Sequence, residues 1–143
     1  MILHVVDASV AAKWCLPPKD EPLADEAIGL LQRYTRQEIF LLVPDVFWAE
    51  LGNLLWKAVR KGRCSEAAAK EALAALRSYK MPTVSSLALL DLAFRIALTF
   101  QRSVYDSLYV ALAVDAKAQL ITADERLASA LAARLPVKWL GGL

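Results

Sequence analysis

Read from its amino terminus, the chain alternates short aliphatic runs with longer amphipathic stretches. Residues 2–6 (ILHVV) form a β-branched run ending at Asp7, and ASVAAKW behind it has the small residues and periodicity of a helix start. After the Pro17-Pro18 break, Glu21 to Arg36 places Leu23, Ala27, Leu30, Leu31 and Tyr34 on one helical face. A second strand is expected at Ile39 to Val43. Pro44 and Asp45 then open a helix to about Lys61, with Asp45 as cap, Gly62 as stop and Leu51, Leu54, Leu55 and Ala58 as its core stripe. Ser65 begins an alanine-rich helix that closes before Pro82, and a second runs from about Leu87 to Gln101, so the two read as a helical arm and its return. The spacing predicts a helix over Tyr105 to Lys117, a buried strand over Gln119 to Thr122, a helix over Asp124 to Ala133 and a last strand over Val137 to Leu140.

Strands alternating with helices favour a parallel sheet covered on both faces, joined by right-handed crossovers, with any site outside the carboxyl ends of the strands. Asp7 and Asp124 both fall at or just beyond such ends. Residues 1–143 are expected to form one domain, large enough to bury about two-thirds of the unfolded surface in a single core. The 57% hydrophobic content excludes disorder and leaves an apolar surplus for an interface. The greasiest stretch, Leu87 to Phe100, is interrupted by Asp91 and Arg95 and is too short to span a bilayer. With a strand-like run beginning at Ile2 and no basic start or cleavage site, a cytoplasmic location is expected. Cys15 and Cys64 lack metal-ligand spacing and read as reduced thiols. A net charge of +2 announces no nucleic-acid partner, but Lys57, Arg60, Lys61 and Arg63 crowd the end of one predicted helix.

The candidate chemistry lies in four acidic residues: Asp7 in ILHVVDAS, Glu50 in PDVFWAELGN, Asp106 in SVYDSLYVALA and Asp124 in QLITADERL. Individually most have structural readings. Asp7 can cap the helix that follows it; Asp106 lies three residues after Ser103 and Glu125 three after Thr122, the spacing of a capping box. Glu50 sits well inside a helix on a mostly apolar segment, where capping does not apply. Gathered at one end of a sheet, the four would make an oxygen-rich pocket for a hard divalent cation.

The segments VVDASVAAKW, PDVFWAELGNLLWK, SVYDSLYVALA and LITADERL, in that order along nearly the whole chain, resemble the PIN-domain nucleases, and in particular the VapC toxins of toxin–antitoxin pairs. The resemblance implies a three-layer α/β/α domain with a mainly parallel central sheet and a helical arm. Asp7 matches the family's first-strand aspartate, Glu50 its helical glutamate, Asp106 the aspartate of its Y/F-D-A/S-x-Y segment and Asp124 its last acidic position, with Ser9 and Thr122 as accompanying hydroxyls. It implies a Mg²⁺- or Mn²⁺-dependent endoribonuclease, an antitoxin that obstructs the acidic pocket, and a homodimer formed through apolar helical surfaces. Under that expectation Asp7 and Asp106 are the foremost metal ligands, while Glu50 and Asp124 act through water, either one accepting a proton.

Lys13 and the group Lys57, Arg60, Lys61 and Arg63 could contact RNA phosphates, although solvated charges near helix ends explain them equally well. Trp14, Trp48 and Trp56 could stack on bases, but their apolar flanks favour core or interface positions. His4, within a strand, reads as a packed histidine. Two other functions remain to be weighed: a phosphoacceptor receiver-like domain, which lacks its acidic pair after the first strand here, and a PIN-like module that binds RNA or protein without cleaving it.

Overall fold

The computed structural model describes residues 2–143. Its order is β1 (Ile2–Val6), α1 (Ala8–Cys15), a 3-10 turn (Pro18–Asp20), α2 (Ala24–Thr35), β2 (Ile39–Pro44), α3 (Val46–Arg60) and α4 (Glu66–Ser78). The chain continues through β3 (Thr83–Val84), α5 (Ser86–Phe100), α6 (Val104–Asp115), β4 (Gln119–Thr122), α7 (Glu125–Leu131), β5 (Val137–Trp139) and a closing 3-10 turn (Leu140–Gly142). The strands form one sheet in the order β3-β2-β1-β4-β5, and every pairing is parallel.

This order reverses at β1: the chain first moves outward from β1 through β2 to β3, then returns to the other side of β1 as β4 and β5. Right-handed crossovers therefore put α1 to α4 on one face and bring α5 and α6 back over the other. Packing agrees, with α1 touching α2, α3 and α4, while α6 lies across β1, β2 and β4 beneath α5. The two helices of the predicted arm are thus parted by β3, α4 lying with α1 and α3 and α5 lying on α6. Because α6 is sandwiched between sheet and helix, Ser107 to Ala113 are buried without interruption. The core joins β1, β2, β4, α3 and α6 through side chains such as Val5, Leu41, Phe47, Leu51, Leu112 and Ile121, each 0 or 1% exposed. Burying a side chain of this size contributes about 1.5 to 3 kcal/mol.

Three local expectations are corrected. The second helix begins at Ala24 rather than Glu21, because Leu23 takes a left-handed φ of 58° and the residues before it are held by side-chain bonds. Asp45 stands at the cap position of α3 but makes no capping bond; its own backbone is helical and its carboxylate accepts from the Ser86 hydroxyl of α5. The PTVSS segment contains β3, whose two residues extend the sheet through Val43 N–H donating to Pro82 O and Asp45 N–H to Val84 O. Gly62 fulfils its role as stop, with φ +72°.

The loop after α1 is fastened by charge. Lys13 Nζ donates to Glu21 Oε1 at 3.1 Å and to the Pro22 carbonyl at 2.7 Å, and Arg63 Nη2 donates to Glu21 Oε2 at 2.6 Å. One carboxylate thereby joins α1 to the turn between α3 and α4. Burial alone would raise the Glu21 pKa, but the hydrogen bonds and charges of Arg63 and Lys13 hold it below the usual glutamate value of 4.5. Its contribution is therefore complete above pH 4.5 and is lost as acid protonates the folded carboxylate. Glu21→Gln is expected to cost about 2 kcal/mol at neutral pH and to flatten part of the acid limb of the stability curve; urea melts from pH 3 to pH 7 measure both.

Candidate active site

The β1–β4 register pairs His4 with Gln119, Val5 with Leu120 and Val6 with Ile121, so the residue after β1 faces the last residue of β4. Asp7 and Thr122 consequently meet at the carboxyl end of the sheet, beside the strand at which its order reverses. This is the crevice where an open parallel sheet leaves room for a ligand. Glu50 enters from α3, Asp106 from the first turn of α6, and Asp124 from the loop that starts α7. All four carboxylates, with Ser9, Asn53 and Tyr109, line one cavity of about 310 Å³.

Hydroxyls and amides orient the acids. Ser9 Oγ donates to Asp7 Oδ1 and accepts from Ala123 N–H at 3.3 Å, tying α1 to the end of β4. Val10 N–H also donates to Asp7, at 3.3 Å, so Asp7 caps α1 while keeping its place in the cavity. Thr122, fully buried, accepts from Asp124 N–H at 3.0 Å, and its hydroxyl stands near enough to the Asp7 carboxylate to favour its ionised form. Asp124 Oδ1 accepts from Arg126 and Leu127 N–H at 3.0 and 3.2 Å. Ser103 Oγ accepts from Asp106 N–H at 3.0 Å, capping α6, and the Asp106 carboxylate lines the cavity.

Glu50 is held differently. Tyr109 of α6 donates its phenol to Glu50 Oε1 at 2.5 Å, joining helices from the two opposite layers. Burial, this hydrogen bond and the charge of Glu50 raise the Tyr109 pKa, so the phenol remains a donor. Tyr109 escapes a reading confined to acids, yet the Tyr105-Asp106-x-x-Tyr109 spacing carried its signal. Asn53 joins the cavity because it lies one turn beyond Glu50 on the same side of α3.

The cavity is short of positive charge. Among the described residues, no Lys, Arg or His forms an ion pair with Asp7, Glu50, Asp106 or Asp124. Burial raises the Asp7 pKa to about 6 against the opposing hydrogen bonds of Ser9, Thr122 and the Val10 and Ser9 amides. Burial and the neighbouring Asp124 charge also raise that of Asp106, with Arg102 and Ser103 opposing. No group of three or more His, Cys, Asp and Glu side chains stands ready-made as a coordination cage among the described residues. The donor set nevertheless suits a hard divalent cation: it is all oxygen, and its unbalanced charge is of the kind such an ion relieves.

The remaining candidates separate. Lys57 borders both the acidic cavity and a second one beside it, which Lys13, Lys61 and Arg63 also line. Lys13 and Arg63 are committed to Glu21, and the Arg60 guanidinium lies 4.7 Å from the Trp56 ring, away from both cavities. Trp14 donates its indole N–H to Ala27 O and Trp48 to Thr83 Oγ1, while Trp56 is exposed. His4 is packed inside the sheet, 6% exposed.

Residues 4–132 match the family model of the PIN domain. The chain belongs to the PIN domain family. Ribonuclease VapC3 of Pyrobaculum aerophilum is 36% identical over 126 residues, covering 87% of this chain and 91% of that protein. Among solved structures of the PIN fold, PAE2754 from Pyrobaculum aerophilum aligns with a TM-score of 0.71 at 24% identity, covering 99% of this chain and 85% of that one. VapC20 of Mycobacterium tuberculosis, described as a Sarcin-Ricin loop cleaving toxin, aligns with a TM-score of 0.65 at 18% identity, over 90% of this chain and 95% of that one. The three-layer fold with its five parallel strands is thus that of a PIN domain, and the acids lie where its parallel strands end.

The buried Thr122 hydroxyl stands between two of the acids, bonded to the Asp124 amide and close to Asp7. Thr122→Val keeps the shape but removes the hydroxyl that favours the ionised form of Asp7. Carboxyl-carbon NMR titration of the metal-free protein is expected to show the Asp7 pKa moving upward from about 6; an unchanged or lower value would contradict the assigned bond.

Proposed function

We propose that this protein is a metal-dependent endoribonuclease acting as the toxin of a VapBC-type toxin–antitoxin pair. The observation that carries the reading is the convergence of Asp7, Glu50, Asp106 and Asp124 on one cavity of a PIN domain. The ribonuclease named among its relatives, matching along nine-tenths of that protein's length, supports the same activity. A PIN-like module that only binds would have no use for four gathered acids that no lysine or arginine pairs with.

Asp7 and Asp106 would hold Mg²⁺ or Mn²⁺, with Glu50 and Asp124 close enough to the cavity to act through water. When bound, the ion would neutralise the non-bridging oxygens of a phosphodiester and make water a stronger nucleophile. Ser9 and Thr122 fix the Asp7 carboxylate, and Tyr109 fixes Glu50. Glu50 and Asp124 orient water, and one of them accepts its proton.

The partners follow from this reading. The substrate is RNA, and the natural restraint is an antitoxin that obstructs the cavity; VapBC2 from Rickettsia felis and VapBC-5 from Mycobacterium tuberculosis are among the structures sharing the fold. Self-association is supported by α5, which presents Leu87, Leu90, Phe94 and Leu98 to solvent at helical spacing. No helix among the described residues is long and apolar enough to cross a membrane.

Incubation with Mn²⁺ and total cellular RNA is expected to release defined cleavage ends, and Asp7→Asn or Asp106→Asn to slow cleavage about 100-fold or more. Mn²⁺ should also raise the melting temperature, an effect both variants weaken. Chelator-resistant cleavage together with a melting temperature indifferent to Mn²⁺ would defeat the metal assignment. Phe94→Glu on the exposed face of α5 is expected to convert dimers to monomers in sedimentation velocity.

A further inference from the structure

The acidic cavity has a neighbour of opposite character. A second cavity, of about 360 Å³, shares Ser9, Leu54, Lys57 and Asp124 with the first and extends from it to Lys61. That volume lies within the range of small-ligand clefts, about 300 to 1,000 Å³. Its floor is apolar, made by Ala12, Leu16, Leu54 and Ala58. Its rim is basic.

The two cavities are strung along α3. Glu50, Leu54, Lys57 and Lys61 recur at spacings of four, three and four, so they share one side of the helix from its first turns to its end. Seven residues separate Glu50 from Lys57, about 10 Å along the axis, and eleven separate it from Lys61, about 16 Å. A chain with its scissile phosphate among the carboxylates therefore meets Lys57 next and Lys61 beyond it. Among the described residues neither lysine forms an ion pair. Lys13 and Arg63, by contrast, are neutralised by Glu21, and their clamp makes one stiff wall of the cavity.

We infer that this second cavity is a nucleotide subsite for single-stranded RNA, in which Lys57 and Lys61 take the phosphates flanking the scissile one and the apolar floor takes a base. Charge decides the occupant: two ammonium groups without an ion-pair partner, Lys57 at the boundary with the carboxylates and Lys61 beyond it, attract a polyanion, and the adjoining carboxylates repel it except where a cation bridges them. Size decides the form, since a cavity of about 360 Å³ floored by small and aliphatic side chains receives an unpaired base but not a duplex. Lys57, bordering both cavities, would set the register of the strand over the acids. The inference rests on the ribonuclease reading.

Binding read without hydrolysis tests it. A fluorescein-labelled single-stranded RNA 12-mer of mixed sequence is titrated with the full chain in chelator, by anisotropy, at several salt concentrations. Lys57→Gln/Lys61→Gln is expected to weaken binding about tenfold or more and to reduce the salt slope by about 1.4, roughly 0.7 for each of two lost phosphate contacts on a single strand. Lys57→Arg/Lys61→Arg should restore both, and Lys117→Gln, elsewhere on the surface, should change neither. An abasic 12-mer should keep the salt slope but bind more weakly. Unchanged affinity and slope in the glutamine variant, with an unaltered melting temperature, would overturn the subsite. Equal affinity for the abasic strand would overturn the base position, and poly-glutamate competing as well as RNA would assign the cavity to an acidic protein segment instead. Lysine-dependent binding without Mn²⁺-stimulated cleavage would refute the nuclease reading alone; cleavage with lysine-independent binding would refute the subsite alone.

Discussion

The parallel alignment of β1 with β4 is the constraint on which the rest depends. Once Val6 pairs with Ile121, Asp7 and Thr122 have nowhere to be but opposite each other, and the Ser9 hydroxyl can reach across to the amide of Ala123. A slip of one residue would turn every side chain of β1 to the other face and separate this group. The slip is prevented by the core: Val5 and Val6 are fully buried, as are Leu120 and Ile121. Packing of apolar side chains at the centre of the sheet thus sets the positions of polar ones at its edge.

The same arrangement concentrates charge that the fold does not neutralise. Hydroxyls and amides steady Asp7 and Asp124, but such neutral donors only partly offset the cost of holding carboxylates together out of water. The raised pKa values of Asp7 and Asp106 express the remainder. Where the fold needs a charge for architecture it acts otherwise, giving Glu21 two cations. One glutamate is thus paired with two cations, while four acids gathered at one cavity form no ion pair.

Most of the fold was legible in the sequence, since β1, β2, β4 and the helices between them are long enough for their apolar spacing to decide. β3 was not, because two residues cannot display an alternation. The start of α2 was misplaced because Leu23 continues the apolar pattern while its backbone is left-handed, a fact of φ that periodicity does not carry. Asp45 has the composition of a cap, but Ser86, forty-one residues away, claims its carboxylate. At the site, the acids could be named but not what holds them: Tyr109 has its role through Glu50, fifty-nine residues away, and Lys13, named as a phosphate contact, is instead bonded to Glu21. Sequence spacing reports neighbours within an element; these bonds run between elements.

The bond between Tyr109 and Glu50 spans the rim of the sheet, from the layer of α6 to the layer of α3. It makes the orientation of Glu50 a readout of how the two layers stand relative to one another. Moving α6 along its axis by a single residue would carry the phenol about 1.5 Å, a large displacement for a hydrogen bond this short. α5 packs on α6 and bares its apolar side to solvent, so the helix that fixes Glu50 is itself held in place between the sheet and an outer helix whose far side is open.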